Sequence, residues 1–220
     1  MADSLVLVTG ATGTVGTAVL AALKGKPGIK LRALVRNPDK AATLVEEGYE
    51  AVVGDLEEPD TLPHAFDGVD VLFLLTPASA LEPSMGSNAV AAARQAGVKH
   101  IVRNSAIKAA HDAPNRNGRL HAQVEDAVKA SGIPWTILKP HYYMQNLLSS
   151  ASSVASDGML YMNLGEGRVG TIDGRDVGLS PPASSSNRSG TRARRTRRLG
   201  PSRSACRTLP RHSPRCSASP

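Results

Sequence analysis

A glycine loop constrains this chain more than any other feature. Gly10-Ala11-Thr12-Gly13-Thr14-Val15-Gly16 follows directly on the β-branched run at residues 5–9 (LVLVT) and opens an apolar helical pattern over residues 15–23. Three glycines at this spacing permit a tight turn, close approach of backbone N–H groups to a pyrophosphate, and close packing of helix against strand. The start of the helix adds the positive end of its dipole at the same point. Such a loop belongs between a buried strand and a helix, so the rest of the chain should supply more such pairs.

It does. Residues 30–35, 50–53, 69–75, 99–103 and 135–138 read as five further strands. Between them, helices are expected over residues 38–47, opened by Asn37 as a cap, over 60–66, over 88–96, closed at Gly97, and over 120–130. Strands alternating with helices imply a parallel sheet covered on both faces. Right-handed crossovers then favour an α/β, doubly wound parallel sheet, the Rossmann fold. Residues 1–178 are expected to form this single dinucleotide-binding domain.

The end of the second strand reports on which dinucleotide. A site for NAD(H) usually places Asp or Glu there to hold the ribose hydroxyls. Here the position is Arg36, in LVRNPDK, with Arg32 and Lys40 nearby. A guanidinium suits a 2′-phosphate through charge-assisted, bidentate bonds, so NADP(H) is favoured over NAD(H). At the end of the third strand, Asp55 could accept from the adenine amino group or cap the helical turn near Pro59. Thr76, just after the fourth strand, lies where the backbone should pass the middle of the cofactor, because ligands sit at the carboxyl ends of parallel strands.

Charge first suggests an anionic partner, since the formal net charge is +7. Beyond Leu179, however, stand ten arginines and no Asp, Glu or Lys, so the part expected to fold is mildly acidic. That tail has no interleaved aromatics and no recognisable module, which argues against nucleic acid as a partner. Both cysteines, Cys206 and Cys216, also lie there, leaving the domain with no disulfide framework and no thiolate metal site. No metal is expected. The N-terminus lacks a basic, then apolar, leader, and no apolar run is long enough to span a bilayer, so a soluble cytoplasmic protein acting on a small molecule is the expectation.

Several separate segments, in order, carry a resemblance. TGATGTVG, ALVRNPDKA, VVGDLEEPDTLPHAFDGVDVLFLLTP and ASGIPWTILKPHYYMQN resemble the NmrA-like branch of the atypical short-chain dehydrogenases. That branch includes NAD(P)H:quinone reductases and NAD(P)-sensing regulators without turnover. The resemblance implies cofactor contacts at residues 10–15, Arg36, the Thr76 segment and the loop over residues 140–146, with Pro140, His141, Tyr142 and Tyr143 as site residues. It also brings residues 167–171 towards the cleft. Tyr142 and Tyr143, adjacent aromatics in a chain of 3% aromatic content, could wall a flat acceptor or simply pack.

Departures from the family pattern matter as much. Catalytic short-chain dehydrogenases use a Tyr-x-x-x-Lys pair, and here His121 and Glu125 stand in those places. They share a helix face, so a hydrogen bond between them is expected. Ser105, after the fifth strand, could bond a substrate carbonyl or cap the chain. The leading reading is an NAD(P)H-dependent reductase of a small quinone-like or carbonyl acceptor; the rival is a regulator that senses NADP(H) without turnover.

After Arg175-Asp176-Val177 the resemblance implies an Ala/Val-rich helix, a strand and a substrate-side lobe. Instead, residues 179–220 turn to Arg, Ser, Pro and Thr, and Lys, Glu, Asp, Ile, Val, Phe and Tyr disappear together. Such a segment buries too little apolar surface to order itself. Its composition is what GC-rich coding DNA yields in a shifted frame. We therefore expect a disordered, non-native tail and an incomplete substrate lobe, the alternative being a native basic arm for an anionic surface; translating the other forward frames past codon 178 should recover the helical pattern.

Overall fold

The computed structural model describes residues 3–161, residues 168–178 and the backbone of residues 195–199. Strands β1 (Ser4–Val8), β2 (Ile29–Val35), β3 (Glu50–Val53), β4 (Val71–Leu74), β5 (His100–Asn104) and β6 (Trp135–Pro140) join β9 (Arg195–Leu199) in one parallel sheet, ordered β3-β2-β1-β4-β5-β6-β9. Helices α1 (Thr14–Leu23), α2 (Pro38–Glu46), α3 (Pro63–Phe66), α4 (Glu82–Gln95) and α5 (Arg116–Ala130) form the crossovers. The doubly wound Rossmann arrangement is therefore present, and the strand order reverses between β1 and β4.

Successive strand residues point to opposite faces, and the two faces are two cores. Leu7, Leu34, Leu72, Leu74, Ile101 and Ile137 face Phe66, Met85 and Val124 on one side. Val6, Val8, Ala33, Val35, Phe73, Val102 and Leu138 face Val15, Val19, Leu20 and Leu44 on the other. Both faces being covered explains why the strands read as nearly continuous apolar runs.

Two helices begin earlier than the sequence pattern suggests. In α4, the stretch EPSMGSN looks like a loop, yet Pro83 sits in the first turn, where its missing N–H costs nothing. Gly86 is inside the helix because a Cβ there would lie 2.6 Å from Val124 of α5. In α5, Asn115 caps the start by accepting from Gly118 N at 2.6 Å. A side chain on Gly118 would strike Ala113 Cβ at 2.7 Å. Gly86 serves the packing of α4 on α5 and Gly118 the tight turn that leads into α5, and helix propensity reveals neither.

Past β6 the chain forms β7 (Tyr142–Tyr143), a 3₁₀ stretch (Met144–Ser150), α6 (Ala151–Asp157), β8 (Thr171–Ile172) and α7 (Gly174–Gly178). β7 and β8 pair in parallel as a small second sheet. α7 packs on α1 so closely that a Cβ on Gly178 would meet Ala18 O at 2.6 Å, and Val177 is fully buried. Met144, Leu148, Val154, Met159, Leu160 and Tyr161 are exposed.

The tail departs from expectation at one place. Arg195–Leu199, in a segment expected to stay unstructured, runs parallel to β6 as the outermost strand. The outer edge of β6 presents a row of N–H and C=O groups, which an extended backbone of any composition can complete. The rest of that segment, with Cys206 and Cys216, lies outside the described residues. Among the described residues no helix is long and apolar enough to cross a membrane.

A candidate dinucleotide cleft and the buried network behind it

The turn from β1 into α1 places the glycine loop at the point where strand order reverses, the position at which doubly wound sheets open a crevice. Gly10 has φ +60°, a left-handed conformation glycine adopts without penalty, and its Cα faces Leu75 so closely that a Cβ would lie 3.0 Å from Leu75 Cβ. Buried Thr9 pins the same corner: its hydroxyl donates to Leu75 O at 2.6 Å and accepts from Leu75 N at 2.8 Å. Gly16 is required for helix packing, since a Cβ there would fall 2.1 Å from Gly10 O.

The seven loop positions divide by role. Ala11, Val15 and Gly16 are buried, so they offer a ligand backbone alone, whereas Gly10, Thr12, Gly13 and Thr14 are exposed. The N-cap of α1 is Gly13, and no side chain caps the helix. Its first N–H groups are therefore available to an anion. A Cβ on Gly13 would meet only Gly10 O, at 3.4 Å, so the space outside the loop is open. A pyrophosphate fits this cradle.

Beside it lies an open cleft of about 360 Å³ lined by Thr12, Val35, Arg36, Asn37, Lys40 and Asp55. The Arg36 side chain is 63% exposed, and its Nη1 lies 3.9 Å from both Asp55 Oδ2 and Glu57 Oε1. Ion pairs that long and that exposed hold a guanidinium weakly, leaving it free to turn to a phosphate. Asp55 does not cap the turn at Pro59; its Oδ1 accepts from Glu57 N at 2.9 Å, and it lines the cleft.

The Thr76 hydroxyl joins a buried network the sequence reading missed. Arg103 on β5 is fully buried. Its Nη1 donates to Thr76 Oγ1 at 2.9 Å and to Leu74 O at 3.3 Å, and its Nη2 donates to Glu82 Oε1 at 2.5 Å. Thr76 Oγ1 in turn donates to Glu82 Oε1 at 2.9 Å, and His121 Nδ1 lies 2.9 Å from the same oxygen. Burial alone would raise the Glu82 carboxyl, but His121, Arg103 and Thr76 outweigh it and hold it below the ordinary carboxylate value. One available signal was an arginine inside an apolar strand, KHIVRN, which must bury a charge and needs an acid opposite.

The expected His121–Glu125 bond does not form, because each residue has a stronger partner elsewhere. Glu125 accepts from Ser105 Oγ at 2.7 Å and pairs with Lys139 at 2.8 Å and Lys129 at 3.1 Å. Ser105 is thereby buried and committed to Glu125 rather than presented to a ligand.

The loop after β6 is tied to the start of α7, which packs beside the glycine loop. Gln145 Oε1 accepts from Gly174 N at 3.0 Å, Gln145 Nε2 donates to Asp173 Oδ1 at 2.7 Å, and Gly174 packs beside Thr14. Pro140 is buried, and His141 stacks so tightly on Gly170 that a Cβ there would lie 2.8 Å from His141 Nδ1. Gly167 lies outside the described residues. Tyr142 is exposed; Tyr143 is half-buried and donates its hydroxyl to Asn104 Oδ1 at 3.1 Å. The two tyrosines thus split between a surface role and a packed one.

Burial pushes the Tyr143 phenol up from 10.0 to about 12, against the opposing Asn104 bond and Arg103 charge. A raised folded value means the stability Tyr143 contributes is complete below its unfolded value and lost as pH climbs through the folded one. The domain should therefore lose stability between about pH 10 and 12. In Tyr143→Phe that alkaline step should shrink; thermal melts of both proteins across this range, showing identical pH profiles, would rule it out.

Comparisons with known proteins agree on one family. The model of the NmrA-like family matches residues 2–164. The NAD(P)H azoreductase of Xenophilus azovorans is 42% identical over 173 residues, covering 79% of this chain and 60% of its own. Among solved structures, an Escherichia coli NADPH-dependent quinone oxidoreductase complexed with NADPH superposes with TM-score 0.71 at 30% identity, covering 79% of this chain and 62% of that one. The Citrobacter sp. triphenylmethane reductase complexed with NADP(H) gives TM-score 0.74 at 29% identity, covering 89% and 69%. The chain spans about 60% of the length of the curated relatives it matches.

Proposed function

Because the chain belongs to the NmrA-like family, we propose that it binds NADP(H) along the carboxyl edge of its sheet and reduces a small quinone-like or carbonyl acceptor. The observation that carries this reading is the exposed, weakly paired Arg36 beside an uncapped glycine loop. Relatives and structural neighbours named as NAD(P)H-dependent reductases support it.

In this reading the backbone from Gly10 to Gly16 holds the pyrophosphate. Arg36, with Lys40, holds the 2′-phosphate, and Asp55 accepts from the adenine amino group. The nicotinamide half passes Thr76 towards Pro140, His141, Tyr142 and Tyr143. The bound cofactor supplies a hydride. The protein supplies proximity, a shielded edge and an aromatic surface against which a flat acceptor can stack. NAD(H) binds the same cradle without the Arg36 contact.

Following NADPH oxidation with a panel of quinones and carbonyls, beside a binding titration, tests the proposal. Saturable turnover with at least one acceptor is expected. Tight binding with no turnover across the panel would instead establish the cofactor sensor. Arg36→Asp should weaken NADPH by at least about 1.5 kcal/mol, the scale of a lost charged hydrogen bond, while NADH changes little. Equal weakening of both would place Arg36 outside the 2′-phosphate site.

A further inference from the structure

We propose that His121 is the proton donor to the reduced acceptor, held for that task by the buried Glu82–Arg103 pair; this deepens the reductase reading and rests on it. The placement comes from the sheet edge. The adenosine-side cleft lies at β2 and β3, and the glycine loop at β1 abuts Leu75 at the end of β4. Just past β4, Thr76 is bridged to His121 of α5 by the single oxygen Glu82 Oε1. A dinucleotide crossing the β1/β4 crevice brings its reactive end to that side.

The geometry fixes which nitrogen does what. Glu82 Oε1 can only accept, and it lies 2.9 Å from His121 Nδ1, closer than Arg103 Nη2 at 3.1 Å, so Nδ1 carries its proton and donates to Glu82. Arg103 directs its own hydrogen to the same carboxylate at 2.5 Å. Glu82 is 1% exposed and clamped from three sides, so the ring cannot swing away without leaving a buried carboxylate short of a donor. Nε2 has no hydrogen-bond partner among the described residues, and the side chain is 19% exposed. A carboxylate holding Nδ1 and a partly exposed Nε2 without a protein partner among the described residues form a proton-transfer device. The nearby Glu125 is occupied by Ser105, Lys139 and Lys129, so it does not compete for the ring.

The step balances. Hydride from NADPH forms a new bond to a quinone acceptor, a π bond of the quinone breaks, and the displaced electron pair settles on an oxygen. That oxygen takes the Nε2 proton of the imidazolium, leaving hydroquinone, NADP⁺ and a neutral ring that still donates from Nδ1 to Glu82. Water reprotonates Nε2. A triarylmethane cation makes a different demand: hydride on its central carbon gives the neutral product directly, with no proton required.

That contrast supplies the test. His121→Asn keeps an N–H for Glu82 and removes the transferable proton; His121→Gln is a second neutral variant. Each is assayed with NADPH against a benzoquinone and against a triarylmethane dye cation, with NADPH affinity measured by titration as a check on folding. Benzoquinone kcat should fall by about 10²- to 10⁴-fold, the usual range for a general acid, while dye kcat and NADPH affinity stay within about twofold. Independently of activity, ¹⁵N NMR of the wild type should show a protected histidine Nδ1–H resonance that is absent from both variants. Equal loss with both acceptors, no loss with benzoquinone, or no protected Nδ1–H would each overturn the assignment of His121. A wild type that binds NADPH but reduces neither acceptor would overturn the reductase reading itself.

Discussion

Glu82→Ala lowers the stability of the domain by about 3–5 kcal/mol, read as a shift of the urea midpoint at unchanged slope. The carboxylate is 1% exposed and is the counter-charge of Arg103, which is fully buried. Without it the guanidinium keeps its bond to Thr76 and a long one to Leu74 O, while its Nε already has no partner. An uncompensated buried cation is among the most damaging states a core can hold. Replacing both partners at once by apolar side chains, Glu82→Leu with Arg103→Met, should recover most of that loss, because the cost lies in the orphaned charge rather than in the missing bond. A single-variant loss below about 1 kcal/mol would mean that water reaches the pair and that it is not a buried pair in solution. The acid limb follows from the same geometry. Glu82 and Glu125 both titrate below the ordinary carboxylate value, so their contribution is complete above it and is lost as pH falls through the folded values.

Gly13→Val abolishes dinucleotide binding, a loss of at least about 100-fold or 2.7 kcal/mol, while the far-ultraviolet circular dichroism stays near that of the wild type. The fold tolerates the change because a Cβ at this position meets only Gly10 O, at 3.4 Å, and φ is −88°, which any residue adopts. The ligand does not tolerate it, since the branched side chain stands over the N–H groups that the open loop leaves for a pyrophosphate. Gly16→Val is the control with the opposite signature. There a Cβ collides with Gly10 O at 2.1 Å, so folding itself fails. An undiminished NADPH titration for Gly13→Val would show the loop to be a turn and nothing more.

Much of the fold was legible because one rule governs it: a chain whose strands are buried on both faces writes them as short apolar runs separated by helices. Six strands of the main sheet were readable on that basis, and so was the glycine loop, whose spacing is dictated by close packing. What stayed hidden depends on contacts between distant residues. The early start of α4 rests on Gly86 meeting Val124, a pair no local window contains, while that of α5 rests on the turn that brings Ala113 against Gly118. The residue types at 121 and 125 suggested a pair on one helix, yet their partners come from α4, β5 and β6, and those tertiary bonds decide what each side chain does. Thr76 lies just past β4, where the sequence put it, and the bonds of its hydroxyl to Glu82 and Arg103 cross to α4 and β5, which no local pattern shows. β9 was invisible because its pairing is imposed by the free edge of β6 rather than by its own composition.

Titrating the wild-type chain with NADPH and with NADH by calorimetry tests directly whether Arg36 selects the 2′-phosphate. NADPH is expected to bind at least about tenfold more tightly, a difference of about 1.4 kcal/mol from the 2′-phosphate contact with Arg36, and the preference to weaken with added salt. Equal affinities, or a preference for NADH, would contradict it.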